Sequence, residues 1–166
     1  GQLDTFVELS GGFDVRGPEL QFDLKTRYTY QFASKKEFRL YDDADLPLSD
    51  TKGALTEKLG NKIDITASLT HNTYEWLSLQ ASYIFGSTGT ATYTGAANQK
   101  MLEALGAYSA NSNHWLKVAA NFSTINLFKK GSFAVPFDVG VSAQRLLSAK
   151  NLNGYDRIDI DLRMYF

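Results

Sequence analysis

A two-residue period runs along nearly the whole of this chain and constrains its fold more than any other feature. It is plainest in RIDIDLRMYF, residues 157–166. Ile158, Ile160, Leu162, Met164 and Phe166 fall on one side there, and Arg157, Asp159, Asp161, Arg163 and Tyr165 on the other. Successive side chains point to opposite faces only in an extended strand, so this alternation specifies a strand with one apolar and one polar face. The expected fold class is all-β.

The same pattern predicts eight strands. The first is about 3–15, with Leu3, Val7, Leu9 and Phe13 opposing Asp4, Glu8 and Asp14. A Gly-Pro break at 17–18 ends it. The second, 19–33, sets Leu20, Phe22, Leu24, Tyr28, Tyr30 and Phe32 against Gln21, Asp23, Lys25, Arg27 and Gln31. A weaker third is FRLY at 38–41, before a polar loop over 42–60. The others lie near 61–71, 75–86, 114–124, 133–145 and 157–166. Connections at 34–36, 72–74 and 125–132 are short, and those at 42–60, 87–112 and 146–154 are long, the tight turn at 16–18 being an exception. An even strand count with alternating loop lengths describes an antiparallel up-and-down β-barrel with both termini at the short-turn end. In the longest loop, ANQKMLEALGAY places Met101, Leu102 and Leu105 on one side of one or two helical turns. At 166 residues the whole chain, 1–166, is expected to be a single domain.

Composition removes several function classes. A net charge of −1 gives no electrostatic basis for nucleic-acid binding. With no cysteine there is neither a disulfide nor a thiolate metal site. No run approaches the roughly 18 apolar residues of a membrane helix, but membrane strands give lipid only every second residue and escape that test. No secretory leader pattern opens the chain, which reads as a mature or excised segment.

Two architectures share the alternation: a soluble lipocalin-type barrel with its apolar faces inward, and an outer-membrane barrel with them outward. Three features favour the second. The apolar faces are uniform over roughly 9 to 11 residues, the length a tilted strand needs to cross hydrocarbon. Aromatics gather at strand ends (Tyr28, Tyr30, Phe32, Tyr83, Phe85 and Phe166), where interface girdles sit. The other faces carry charge of both signs. Asp23, Lys25, Arg27, Asp64, Lys117, Asp159, Asp161 and Arg163 are expected to pair across a bore that eight strands leave narrow, plugging it to all but water or small ions. The expectation is a transmembrane β-barrel.

The terminal stretch resembles the outer-membrane β-signal, an aromatic last residue preceded by apolar residues at every second position. Phe166, Met164, Leu162, Ile160 and Ile158 match it without a gap. The strand pattern as a whole is similar to the small eight-stranded barrels of the OmpA and OmpW type. The resemblance implies residence in a bacterial outer membrane, recognition of the last strand by the barrel-assembly machinery, and contact with outer-membrane lipid and lipopolysaccharide. It implies a monomer with a structural or surface-interaction role, no enzymatic activity, no cofactor and no metal. The lack of any tolerable open edge in lipid adds that the last strand closes on the first.

Other readings compete with this one. A channel or transporter of small or hydrophobic compounds is the main alternative, since VPFDVGVSAQRLLSAKN loosely resembles the end of fatty-acid and aromatic-compound uptake barrels. On that reading the chain is part of a larger barrel. A lipid A-modifying enzyme ranks lower: His114, near Ser112, is its only candidate base, and a histidine beside Trp115 is also ordinary girdle composition. His71, beside a short turn, reads as a polar boundary residue. Asp42, Asp43 and Asp45 lack EF-hand spacing and read as a solvated loop or a contact with divalent-bridged lipopolysaccharide. The glycines of GSTGTATYTG precede neither a Lys-Ser/Thr pair nor a helix, so they form no phosphate loop.

Overall fold

The computed structural model describes residues 3–39, 52–95 and 97–165. Ten strands and two short helices follow the chain order β1 (Asp4–Arg16), β2 (Leu20–Gln31), β3 (Ser34–Arg39), β4 (Lys52–Lys58), β5 (Lys62–Tyr74), β6 (Leu77–Thr88), β7 (Thr92–Gly95), α1 (Gln99–Gly106), β8 (Asn111–Ser123), α2 (Ile125–Lys129), β9 (Phe137–Lys150) and β10 (Arg157–Met164). The fold is all-β and its sheets are antiparallel.

Seven long strands form one sheet in the order β1-β2-β5-β6-β8-β9-β10, each beside its neighbour in the chain once the β3-β4 and β7-α1 excursions are set aside. Its register turns alternation along each strand into rows across the sheet. One row, Phe13–Phe22–Leu69–Ala81–Val118–Ala143–Ile158, crosses all seven strands and is apolar throughout. The row behind it, Gly12–Asp23–Ser68–Ser82–Lys117–Gln144–Arg157, is polar throughout.

Beyond one end of this sheet, β3, β4 and β7 make a separate three-stranded sheet on which α1 packs. Asn98 caps α1, its side chain accepting from Lys100 N at 2.9 Å. Leu55, Ala91 and Met101, the buried apolar residues among those described, all belong to this cap. Phe38 meets Tyr93 edge-on at 5.6 Å there. At the other end, Thr124 is fully buried. Its hydroxyl donates to Val135 O at 2.8 Å and accepts from Phe137 N at the same distance, tying the α2 connection to the start of β9.

Several sequence expectations are corrected. The long sheet has seven strands where eight were expected, because Phe38 and Arg39 of FRLY continue the outward run of β2 into the cap and do not return across the sheet. Leu40 and Tyr41 lie outside the described residues. With one traverse fewer, the first described residues of β1 lie at the cap end and the last of β10 at the turn end, not both at the turn end. The expected polar loop 42–60 contains β4, and the loop 87–112 contains β7 as well as the expected helix. The seventh strand starts at Phe137, not 133, since Pro136 has no N–H to give a ladder. β1 and β10 are the sheet's two edges and do not pair with each other, so the described strands do not close into a barrel.

One close approach holds the cap against the sheet. A β-carbon on Gly60, between β4 and β5, would lie 1.9 Å from the backbone O of Gly89, just beyond β6, whose N–H donates to Asn61 O at 2.9 Å. Nothing lies within 4 Å of the same position on Gly11. Gly60→Ala is therefore expected to destabilise the protein by about 1–3 kcal/mol, as overpacking against fixed backbone does, and Gly11→Ala by no more than about 0.5 kcal/mol in either direction. Urea melts of the two variants side by side check this.

Candidate functional site: a polar face backed by an apolar one

The eight charges expected to form a network all fall on the polar face. Arg27 stands opposite both Glu8 and Asp64, Lys25 opposite Ser10 and Thr66, and Asp23 opposite Gly12 and Ser68. Lys117 stands opposite Gln144, Asp159 opposite Ser142, Asp161 opposite Gly140 and Arg163 opposite Asp138. Their actual partners are local. Lys25 reaches Glu8 on the adjacent strand at 3.0 Å. Arg163 pairs with Asp161 at 2.8 Å and Arg157 with Asp159 at 2.7 Å, each within β10. The Arg27 guanidinium lies 3.8 Å from the centre of the Phe6 ring, and among the described residues no ion pair joins it to Asp64. Among the described residues, the ion pairs of these eight charges thus run within one strand or between adjacent strands. Within the polar row, Ser68 and Ser82 hydrogen-bond from β5 to β6 at 2.9 Å. A hollow of about 440 Å³ is lined by Ser10, Asp23, Lys25, Thr66, Ser68 and Gln80 among others.

Burial runs opposite to what water would select. Ser82, on the polar face of a central strand, is 5% exposed, whereas its apolar-face neighbour Leu79 is 45% exposed and Val118 on the next strand 49%. Small side chains on that apolar face (Ala81, Ala120 and Ala143) leave a shallow groove of about 560 Å³ between Leu69, Leu79 and Val141.

Aromatic rings bound the apolar face at both ends. At the turn end, Tyr74 stacks on Trp76 at 4.9 Å, Trp76 meets Phe122 at 5.4 Å, and Phe137 follows Phe122 at 5.8 Å. At the cap end, Tyr30 meets Phe32 at 5.0 Å and Phe85 meets His114 at 4.9 Å. The sequence analysis did not single out Tyr74, Trp76, Phe122 and Phe137, because these rings come from three separate segments and meet only through register. From Leu77, beside Phe122, to Phe85 is eight residues of β6. At about 3.3 Å per residue, the two groups stand roughly 26 Å apart along the strand.

Of the other candidates, His114 Nδ1 is 2.5 Å from the hydroxyl of Tyr83, so its partner is a girdle phenol and not Ser112. His71 Nδ1 is 2.9 Å from Thr73 Oγ1, at the turn end of the apolar face. Ile158, Ile160, Leu162 and Met164 share the apolar face of β10, while Phe166 lies outside the described residues. Asp42, Asp43 and Asp45 also lie outside them; among the described residues no three His, Asp or Glu side chains gather as a metal site. No helix is long and apolar enough to cross a membrane, which says nothing of strands. The cap holds a cluster that the sequence did not reveal: Glu57, nearly buried, accepts from Tyr93 Oη at 3.0 Å and pairs with Lys36. The three residues lie on three strands, so only the pairing of β4 with β3 and β7 brings them together.

No family model, curated protein or solved structure matches the chain.

Two predictions follow from this geometry. Burial, then the hydrogen bond to Glu57 and its charge, raises the Tyr93 hydroxyl above its ordinary 10.0. A value raised on folding means that the stability Tyr93 contributes is complete below the unfolded value and is lost as pH rises through the folded one. Tyr93→Phe should therefore remove part of the alkaline loss of stability, read as the difference between wild-type and variant melting temperatures from about pH 9 to 12. The second concerns Arg163, whose side chain is 68% exposed beside Asp161. For these strands alone, Arg163→Ala should cost under about 1 kcal/mol in urea unfolding. A loss of several kcal/mol would mean that another wall covers this face.

Proposed function

We propose that this chain is wall of a bacterial outer-membrane β-barrel, with the polar face lining the lumen and the apolar face against lipid, and that it serves a structural or surface-interaction role. One observation carries the reading: central polar side chains such as Ser82 are closed off while the apolar row across seven strands is open. In water that row would be an exposed patch beyond the few hundred Å² that soluble monomers tolerate. In hydrocarbon it is the favourable surface, and the two aromatic belts, roughly 20 Å apart at the 35–45° tilt of membrane strands, flank it as the girdles of the roughly 25 Å apolar band of such barrels do. The cap of β3, β4, β7 and α1 would then stand outside the bilayer, where its small buried core makes sense. A second reading, transport through a wider barrel, is favoured by the seven-stranded sheet's two unpaired edges, which leave the bore's final width unset.

The protein should require detergent, give a mainly strand far-ultraviolet circular dichroism spectrum in micelles, and migrate on gels in a heat-modifiable way. A monodisperse fold in plain buffer would sink the membrane reading. In bilayers, Leu79→Arg and Val118→Arg should each cost about 2–4 kcal/mol near the midplane. Ser78→Thr, on the polar face, should be nearly neutral. The reverse pattern would invert the assignment of faces. Planar-bilayer recordings separate the two roles, large stable conductance favouring transport.

A further inference from the structure

Six antiparallel steps separate β1 from β10, so the two edge strands run in the same direction, from the cap end to the turn end. Phe32 N donates to Leu3 O, which sets the phase of the first ladder. Leu3, Thr5, Val7, Leu9 and Gly11 bond to β2, and the N–H and C=O groups of Asp4, Phe6, Glu8, Ser10 and Gly12 face the open side. Tyr165 N donates to Pro136 O and sets the last ladder, leaving Ile158, Ile160, Leu162 and Met164 facing outward. Exposure agrees. All thirteen residues of β1 are exposed, on both faces, and Ile158 and Ile160 are about three-quarters exposed, against 45% for Leu79 inside the sheet.

We propose that the gap between β10 and β1 is filled by an odd number of further strands of the same polypeptide, from outside residues 1–166, with those bordering the gap running toward the cap end. This rests on the membrane reading above, because only in lipid must every ladder close. Direct closure would join two strands of the same direction, a parallel seam in an otherwise antiparallel sheet. A second copy inserted with the same orientation offers the same mismatch, and an inverted copy would place its cap on the wrong side of the bilayer. An odd number of strands restores alternation at both borders. Such strands alternate in the same sense, apolar beside Leu9, Phe13 and Ile160, polar beside Glu8 and Asp159.

Amide exchange of the chain refolded in dodecylphosphocholine micelles tests this. The N–H groups of Phe6, Glu8, Ser10, Ile158, Ile160 and Leu162 should exchange at least about 100-fold faster than those of β5 and β6, as ladder groups open to solvent do. Fusing a copy of residues 137–150 (one strand, running toward the cap end) ahead of Gly1 should slow them. Fusing residues 111–150 (two strands) should slow the amides of β1 but not those of β10, which would face a strand of their own direction. Cysteines at Ser10 and at Asp159 or Asp161 should form no disulfide in the unextended chain, within one molecule or between two. The mature polypeptide isolated from its outer membrane should exceed 18.5 kDa. Slow edge amides in the unextended chain, a seam disulfide, protection of the β10 amides by the two-strand extension, or a mature mass of 18.5 kDa would each overturn the proposal. Loss of protection in β5 and β6 would instead defeat the membrane reading, and the proposal with it.

Discussion

The backbone ladder is what the rest of this structure depends on. The long sheet has almost no buried apolar side chain, so a conventional core is not what holds its strands in place. What orders them is the continuous exchange of N–H and C=O groups from β1 to β10, with a register that puts most apolar side chains on one face and most charges on the other, Phe6 and Ile84 on the polar face and Arg145 on the apolar one being exceptions. A register slip of one residue would exchange the faces of a whole strand, so the alternation and the ladder specify each other. Where apolar burial does organise packing, it is confined to the cap, around Leu55 and Met101.

Much of this was legible in the chain. Residues 20–31 and 157–164 alternate so strictly that their faces could be assigned without coordinates, and all eight charges assigned to one face share it. The count went wrong at one place. FRLY has strand composition, but composition does not say whether a strand turns back or carries on. Ser34–Arg39 carries on from β2 with only two residues between, and finds its partners in Lys52–Lys58, whose KGALTEK pattern alternates too weakly to be read as a strand. That single misplacement changes the parity of the sheet, and with it the relative direction of its first and last strands. It also accounts for the turn at 17–19, which looked exceptional and lies with the other short connections, near 75–76 and 124–136.

The charges teach a different lesson. Alternation places Asp159, Asp161 and Arg163 on one face but carries no information on what lies opposite. Side chains two apart on a strand share a face at about 7 Å, within reach of an arginine, so a strand with nothing across from it satisfies its charges along its own length, as Arg157–Asp159 and Arg163–Asp161 do. These pairs are exposed and individually weak. Placed against a facing wall, the same residues would lose water and have to pair well or be costly. Their energetic weight is therefore set by whatever completes the sheet.

Exposure and direction converge on the same two strands. A sheet in water blunts its edges with short strands, prolines or inward charges. β1 has charges on its polar face, but it is thirteen residues long, without proline, and presents Leu9 and Phe13 beside a row of open amides. β10 likewise presents Ile158 and Ile160. In water, long, unprotected and apolar edges invite aggregation, and in hydrocarbon each unbonded amide is costlier still. In lipid each edge would therefore need a neighbour, and the common direction of the two strands means that a neighbour antiparallel to one is antiparallel to both.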